Sequence, residues 1–93
     1  MILRYRAQAL ADIDNIFRYL KERSPGGAAS VLRAIYAGIH IIAEQPHSSP
    51  RTDDPEIRVK IVRRYRYKIF HRIVGEGVIE ILHVRHMSRR PWP

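Results

Sequence analysis

The stretch "HVRHMSRRPW", residues 83–92, holds the residue types best suited to chemistry. Its two histidines could carry protons or hold a metal ion. On a strand, side chains three positions apart point to opposite faces, so these two cannot bind one ion together. The sequence has no cysteine to complete such a site. We therefore expect no metal and no cofactor. We expect His83 to pack on the core side and His86 to be a donor or proton carrier near a basic surface.

Positive charge is concentrated in the second part of the chain. Residues 1–56 hold seven lysines and arginines and seven acidic residues, whereas residues 57–93 hold ten against two. The whole formal net charge of +8 therefore belongs to the second part. Such asymmetry favours an acidic partner, either a nucleic acid or an acidic protein. A basic surface kept for solubility is the alternative interpretation.

Alternation of apolar and basic residues predicts that β-strands sort these charges onto one surface. The apolar set consists of Ile57, Val59, Ile61, Tyr65, Tyr67 and Ile69. The basic set consists of Arg58, Lys60, Arg66, Lys68 and Arg72. If the apolar set faces the core, the basic set forms one positive face on the other side of the sheet. Val62 and Phe70 fall on the same face, which favours a surface that a partner covers.

The elements that must position these residues begin with a strand and two helices. Residues 2–6 alternate weakly and predict a short strand. Apolar residues at steps of three and four predict an amphipathic helix over about residues 8–23. Ser24 and Pro25 suit the cap and first position of a second helix, which ends near Gln45 because a proline follows.

Three further strands are predicted after a loop over residues 46–56, which contains three prolines. Gly75 and Gly77 can take positive φ, so residues 74–78 predict a turn. The last strand, residues 78–84, is apolar on both faces and is therefore expected to be central. Together the elements predict an α+β fold of order β-α-α-β-β-β, with a helical hairpin packed on one face of a mainly antiparallel sheet.

The length of 93 residues predicts a single domain over residues 1–93. A core this small favours a partner or an oligomer. We expect no apolar run of the roughly 18 residues that a membrane span needs. The N-terminal residues carry arginine and aspartate and do not fit a secretory signal. With no cysteine, the chain suits a reducing compartment, and we expect a cytoplasmic protein.

Four stretches together resemble the RelE/ParE superfamily of type II toxins, over nearly the whole chain. They are "ALADIDNIFRYL", "AASVLRAIYAGIHIIAEQP", "IRVKIVRRYRYKIF" and "IEILHVRHMSRRPW". The resemblance implies a small basic toxin that an antitoxin protein neutralises within a hetero-oligomer. It implies one of two targets, because ParE-like members block DNA gyrase whereas RelE-like members cut mRNA on the ribosome.

The end of the chain is more similar to ParE, where H-x-x-R precedes a short tail. His86 and Arg89 match that pattern, and His83 and Arg85 with Arg89 fit a different register. Arg90 and Trp92 follow, without the tyrosine that several RelE-like nucleases use. We therefore expect a gyrase inhibitor whose target-binding residues are the basic set together with this tail. Trp92 is either an apolar anchor for the target or is packed on the sheet.

The RelE-like alternative, an mRNA endoribonuclease, assigns catalysis to a different set of cations. It consists of Lys60, Lys68, Arg72 and Arg85. Cations of this kind can stabilise the charge that develops during phosphodiester cleavage. An inactive family member, whose basic face only binds an antitoxin, is a third possibility. In every case the resemblance implies a ParD-like antitoxin, which we expect to cover Leu10, Ile13, Phe17 and Phe70 as it orders on binding.

Overall fold

The computed structural model describes residues 2–87. Its elements are β1 (Ile2–Tyr5), α1 (Ala7–Arg23), α2 (Pro25–Glu44), β2 (Arg58–Val62), β3 (Tyr67–Val74) and β4 (Val78–His86). The four strands form one sheet in the order β1-β4-β3-β2. Strand β1 is parallel to β4, and the other neighbours are antiparallel. The predicted α+β fold and the central place of the last predicted strand are confirmed.

Helix α1 is amphipathic, and its buried stripe includes an acidic residue. Ala9, Asp12, Ile13 and Ile16 are buried, whereas Leu10 is 52% exposed. The buried positions still recur at steps of three and four, as expected for a helix packed on one side. The helix therefore presents a carboxylate to the sheet, and its first leucine faces away.

Helix α2 begins and ends where the sequence predicts. The Ser24 side chain accepts a hydrogen bond from the Gly27 amide at 3.2 Å, which caps the helix. At Gly38 the helix comes close to the sheet, because a Cβ there would lie 3.0 Å from Val62 Cγ2 and 3.1 Å from Ile69 Cδ1. The absence of a side chain at this position is what allows the close packing.

Helix α2 is long and apolar enough to cross a membrane by length and composition alone. The expectation that no segment reaches that length was therefore wrong. Ile35, Ile39 and Ile42 of this helix are almost completely buried, and they belong to the core formed with α1 and the sheet. A core helix of a folded domain passes the same test, so the length of α2 is explained by the core that it fills.

Hairpin geometry places the residues of β2 on the opposite faces from those predicted. Val62 pairs with Tyr67 and Lys60 pairs with Ile69, and paired residues of antiparallel strands share a face. Tyr67 and Ile69 are buried, so Lys60 lies on the helix side of the sheet. Ile61, paired with Lys68, lies on the other side together with Val59. The predicted orientation of β2 was therefore wrong.

Candidate binding surface

The face of the sheet that is turned away from the helices carries the candidate site, and we call it the outer face. Strand pairing brings together on it, from one end to the other, Arg4, Glu80, Arg72, Phe70, His83, Lys68 and Arg85. Three pairs lie directly opposite each other across β3 and β4. They are Arg72 with Glu80, Phe70 with His83, and Lys68 with Arg85.

At one end of the outer face, three arginines surround Glu80. Arg72 Nε donates to Glu80 Oε1 at 2.8 Å, Arg4 donates to Oε2 at 3.2 Å, and Arg6 Nε lies 3.4 Å from Oε1. Burial raises the pKa of Glu80, but the hydrogen bond and charge of Arg72, with the contributions of Arg4 and Arg6, leave it lower than usual. The carboxylate therefore stays charged at neutral pH and forms ion pairs with these three arginines.

At the other end, Asp12 of α1 reaches the sheet beyond the point where β1 ends. Asp12 Oδ2 accepts from the Val84 amide at 3.0 Å, and Oδ1 accepts from Gln8 at 2.9 Å and from Arg85 Nη1 at 3.4 Å. His83 Nδ1 lies 3.8 Å from Asp12 Oδ2. The buried carboxylate thus lies at the edge of β4, accepts a hydrogen bond from an amide there, and holds Arg85 in place.

Two outer-face residues near Asp12 have lowered pKa values. Burial lowers the pKa of His83, the charge of Arg85 lowers it further, and Asp12 opposes the shift. Burial also lowers the pKa of Arg85, with Asp12 again opposing. His83 is therefore neutral at pH 7, and it can accept or donate a hydrogen bond on this surface without adding charge.

An apolar strip crosses the middle of the outer face between the two charged ends. Phe70 is half-buried and meets His83 edge to face, with ring centroids 6.4 Å apart. Val59 lies next to Phe70, and Ile61 next to Lys68. The predicted mixture of Phe70 with cations on one face is present, but its aliphatic part comes from Val59 and Ile61 instead of Val62.

Three residues predicted for the basic face lie elsewhere. Arg58 is paired with the buried His71 and donates to the backbone carbonyls of His47 at 3.1 Å and Ser49 at 2.7 Å, so it anchors the loop after α2. Lys60 lies on the helix side, as described above. Arg66 is not in a strand at all, because residues 63–66 form the turn between β2 and β3.

The two histidines are also exchanged relative to the prediction. His83 lies on the outer face, whereas His86 pairs with Tyr67 and meets its ring edge to face at 5.0 Å, on the helix side. Their opposite orientation agrees with the argument against a shared metal ion. Within residues 2–87, no group of three potential metal-ligating side chains comes together.

His71 is a buried polar residue that the sequence analysis did not single out. It is completely buried, and in the described part of the chain neither ring nitrogen has a hydrogen-bond partner of good geometry. Burial lowers its pKa and the charge of Arg58 lowers it further, against an opposing effect of the backbone at Ile69 and Pro46. The available signal was its place two residues after Ile69, in the alternating apolar row of β3.

The residues expected to bind an antitoxin are not all accessible. Ile13 is 6% exposed and lies in the core, so its assignment to a contact surface was wrong. Leu10 is exposed, and Phe17 and Phe70 are half-buried. The tail residues predicted to bind the target, Arg89, Arg90 and Trp92, lie outside the described residues.

The fold and the outer face define a class of small α+β proteins in which a helical hairpin covers one face of the sheet and leaves the other open. The sequence profile of the family described as "ParE toxin of type II toxin-antitoxin system, parDE" matches residues 3–91. The chain therefore belongs to the ParE toxin family, and it is a toxin of the type II toxin-antitoxin class. No curated protein sequence matches it.

Solved structures show the same fold. The chain superposes on one from the chromosomal ParDE toxin-antitoxin system of P. aeruginosa with a TM-score of 0.81 and 22% identity, covering 95% of this chain and 97% of that one. The E. coli RelBE toxin-antitoxin complex gives 0.72 and 14%, covering 95% and 98%. A YoeB/ParE toxin from Agrobacterium tumefaciens gives 0.66 and 15%, covering 92% and 98%.

Proposed function

We propose that this toxin inhibits DNA gyrase by binding it, without cutting nucleic acid itself. The observation that carries the proposal is the ParE family match over residues 3–91. Inhibition by binding requires a surface that is complementary to the target, and no reacting groups. The outer face, with Lys68 beside Phe70 and Ile61, has the mixed apolar and basic character of a protein-binding surface.

The arrangement of the four candidate nuclease cations supports this proposal. Lys60 lies on the helix side, Arg72 is bound to Glu80, and Arg85 is held by Asp12. Lys68 and Arg72 are four residues apart on one strand, or about 13 Å. A phosphodiester in its transition state needs several cations aimed at one point, and here two of the four already neutralise carboxylates of the protein.

A supercoiling assay tests the proposal. Relaxed plasmid is incubated with gyrase, ATP and an excess of the folded toxin, and we expect supercoiling to stop and cleaved plasmid to accumulate. Lys68→Glu reverses a charge in the middle of the outer face and should weaken inhibition at least tenfold. Lys21→Glu makes the same change on an exposed position of α1 and should leave inhibition unchanged. Normal supercoiling with excess folded protein would rule the proposal out.

A ribosome-dependent mRNA nuclease is the second candidate function. The observation that favours it is the direct pairing of Lys68 with Arg85 on the outer face, since two adjacent cations could bind one phosphate. It predicts that message is cut only when ribosomes are present and that Arg85→Ala abolishes cutting. Intact message after incubation with translating ribosomes would eliminate this candidate.

We further propose that a cognate ParD-like antitoxin neutralises this toxin in the cytoplasm, forming a hetero-oligomer. Large apolar side chains are exposed on the two helices: Leu10, Tyr19, Tyr36 and Ile41. The net charge of +8 favours an acidic partner segment. Expression of the toxin alone should arrest growth, and coexpression with the protein encoded beside it should restore growth. Unimpaired growth with toxin alone would contradict this part of the proposal.

A further inference from the structure

We propose that the turn between β2 and β3 binds the phosphodiester backbone of a double-stranded nucleic acid. This turn, residues 63–66, has the sequence RRYR, and we call it the basic turn. Arg63, Arg64 and Arg66 are all exposed. Within residues 2–87, no carboxylate lies within ion-pair distance of any of the three.

The backbone conformation at Arg66 is unusual for an arginine. Its φ is 64°, the only positive value among the described residues other than glycine. Glycine takes this conformation at no steric cost, and asparagine takes it more readily than a long side chain does. Strained backbone of this kind gathers at functional positions, where the side chain matters more than the conformational cost. The positive φ at Arg66 therefore indicates a functional role for this side chain, and this indication does not depend on the number of charges in the turn.

The basic turn is held firmly in place. The Arg66 amide donates to the Arg63 carbonyl at 3.3 Å, and the Met87 amide donates to the Arg66 carbonyl at 2.7 Å, which ties the turn to the end of β4. Tyr65 packs against the core, and the Arg64 guanidinium lies 5.3 Å from the centre of its ring. A closed turn of this kind brings its first and last Cα atoms within about 7 Å. Three cations are thus presented together on a rigid tip.

The character of this tip favours a phosphate backbone over a protein partner. Tyr65 is the only apolar side chain of the basic turn, and it is committed to the core, so the tip lacks the apolar anchor that protein interfaces use. A nucleic-acid duplex carries one negative charge for every 3.4 Å or so of helix axis on each strand, so more than one phosphate falls within reach of a turn of this size. β3 contains no acidic residue, and Glu76 lies in the turn beyond the other end of that strand.

Binding of short duplexes by the purified toxin, without gyrase or ribosomes, tests the proposal separately from the proposed function. Fluorescent DNA and RNA duplexes of one sequence are titrated between 50 and 200 mM salt. The triple variant Arg63→Ala/Arg64→Ala/Arg66→Gly should lose about 0.9 of the log–log salt slope for each contact removed. If all three contacts are removed, the fourfold rise in salt should weaken binding by the wild type about 40-fold more than binding by the variant.

Two further variants separate binding from folding and from total charge. Arg66→Gly alone relieves the left-handed conformation, so its urea midpoint should equal or exceed that of the wild type while its salt slope falls by about 0.9. The control Arg18→Ala/Arg23→Ala/Arg33→Ala removes three exposed helix cations and should keep the wild-type slope.

The salt slopes of these variants decide whether the basic turn binds the duplex. A reduced slope in the basic-turn variants, with the helix control unchanged, supports the proposal, and the tighter of the two duplexes identifies the natural nucleic acid. Equal slopes for all variants would overturn it, as would equal losses in the helix control, since net charge alone would then explain binding. Binding of an acidic peptide with the same dependence on the basic turn, and of neither duplex, would also overturn it.

Discussion

Replacing Asp12 by alanine removes a buried carboxylate on which two elements depend. Asp12 accepts from the Val84 amide at 3.0 Å, at a part of β4 that β1 does not cover because β1 ends at Tyr5. It also lies 3.4 Å from Arg85 Nη1. The alanine variant therefore leaves an amide without an acceptor and a half-buried guanidinium without its counter-charge.

The size of the effect can be estimated from these two contacts. A buried donor left without a partner costs about 1–3 kcal/mol. Removing one member of a fully buried ion pair costs about 3–5 kcal/mol, but the Arg85 side chain is 19% exposed, so roughly 1–2 kcal/mol is expected for this part. The free energy of unfolding should fall by about 2–5 kcal/mol, a large share of the roughly 5–15 kcal/mol typical of such domains.

Urea denaturation at neutral pH, followed by circular dichroism, measures the loss. Asp12→Asn is the matched control, since its side-chain oxygen can still accept from Val84 but carries no charge, and about 1–2 kcal/mol is expected. In an Arg85→Met background the asparagine change should cost less than about 0.5 kcal/mol, because no guanidinium remains to be neutralised. An alanine variant that loses less than about 1 kcal/mol, or an asparagine variant as unstable as alanine, would refute the reasoning.

Two further predictions concern buried positions. The lowered pKa of His71 means that below pH 6.5 the unfolded chain binds a proton that the folded protein does not. Stability should therefore fall by up to about 1.4 kcal/mol per pH unit between 6.5 and the folded pKa, and His71→Leu should flatten urea midpoints measured from pH 5.5 to 7.5; an equally steep profile would contradict this. Gly38→Ala should destabilise by about 1 kcal/mol, because crowding against Val62 and Ile69 outweighs the gain in helix propensity. Thermal unfolding measures both glycine variants: Gly26→Ala, with open space around it, should be neutral or slightly stabilising, and a stabilised Gly38→Ala would contradict the packing argument.

Local signals in the sequence were enough to predict the elements and their order. Ser24 and Pro25 mark the start of α2 because capping and a fixed φ act within one turn of chain. Gly75 and Gly77 have φ values of 56° and 80°, as the turn requires. Each of these features depends on neighbouring residues alone, so the sequence specifies it directly.

The faces of the strands could not be predicted in the same way. Val62 and Tyr67 pair across a turn of four residues, so even positions of β2 share a face with odd positions of β3. Alternation predicts two faces for each strand, but only the turn length relates one strand to the next. Between Phe70 and His71 the pairing with β4 shifts by a residue, which changes this relation again.

The candidate site was predicted only in part, because long-range contacts decide which cations are available. Lys68, Phe70 and Arg72 lie on the outer face as expected, but the sequence gives no sign that Arg72 meets Glu80 or that Asp12 crosses from α1 to Arg85. Asp12 and Arg85 are separated by 73 positions in the sequence. The apolar periodicity of α1 predicts that Asp12 faces solvent. In the structure Asp12 is buried, beside the part of β4 that the short β1 does not cover.

The parallel pairing of β1 with β4 has a consequence for how the protein acquires its shape. β4, the last of the described strands, lies between β1 and β3, so a growing chain that still lacks it holds two strands with no shared neighbour. Pairing of β4 with β1 closes a loop that contains all the other elements, and this step is slow compared with formation of the helical hairpin. The tether from Met87 to the β2–β3 hairpin forms only after that closure. Newly made protein is therefore expected to pass through an interval in which its helices have formed and its outer face has not.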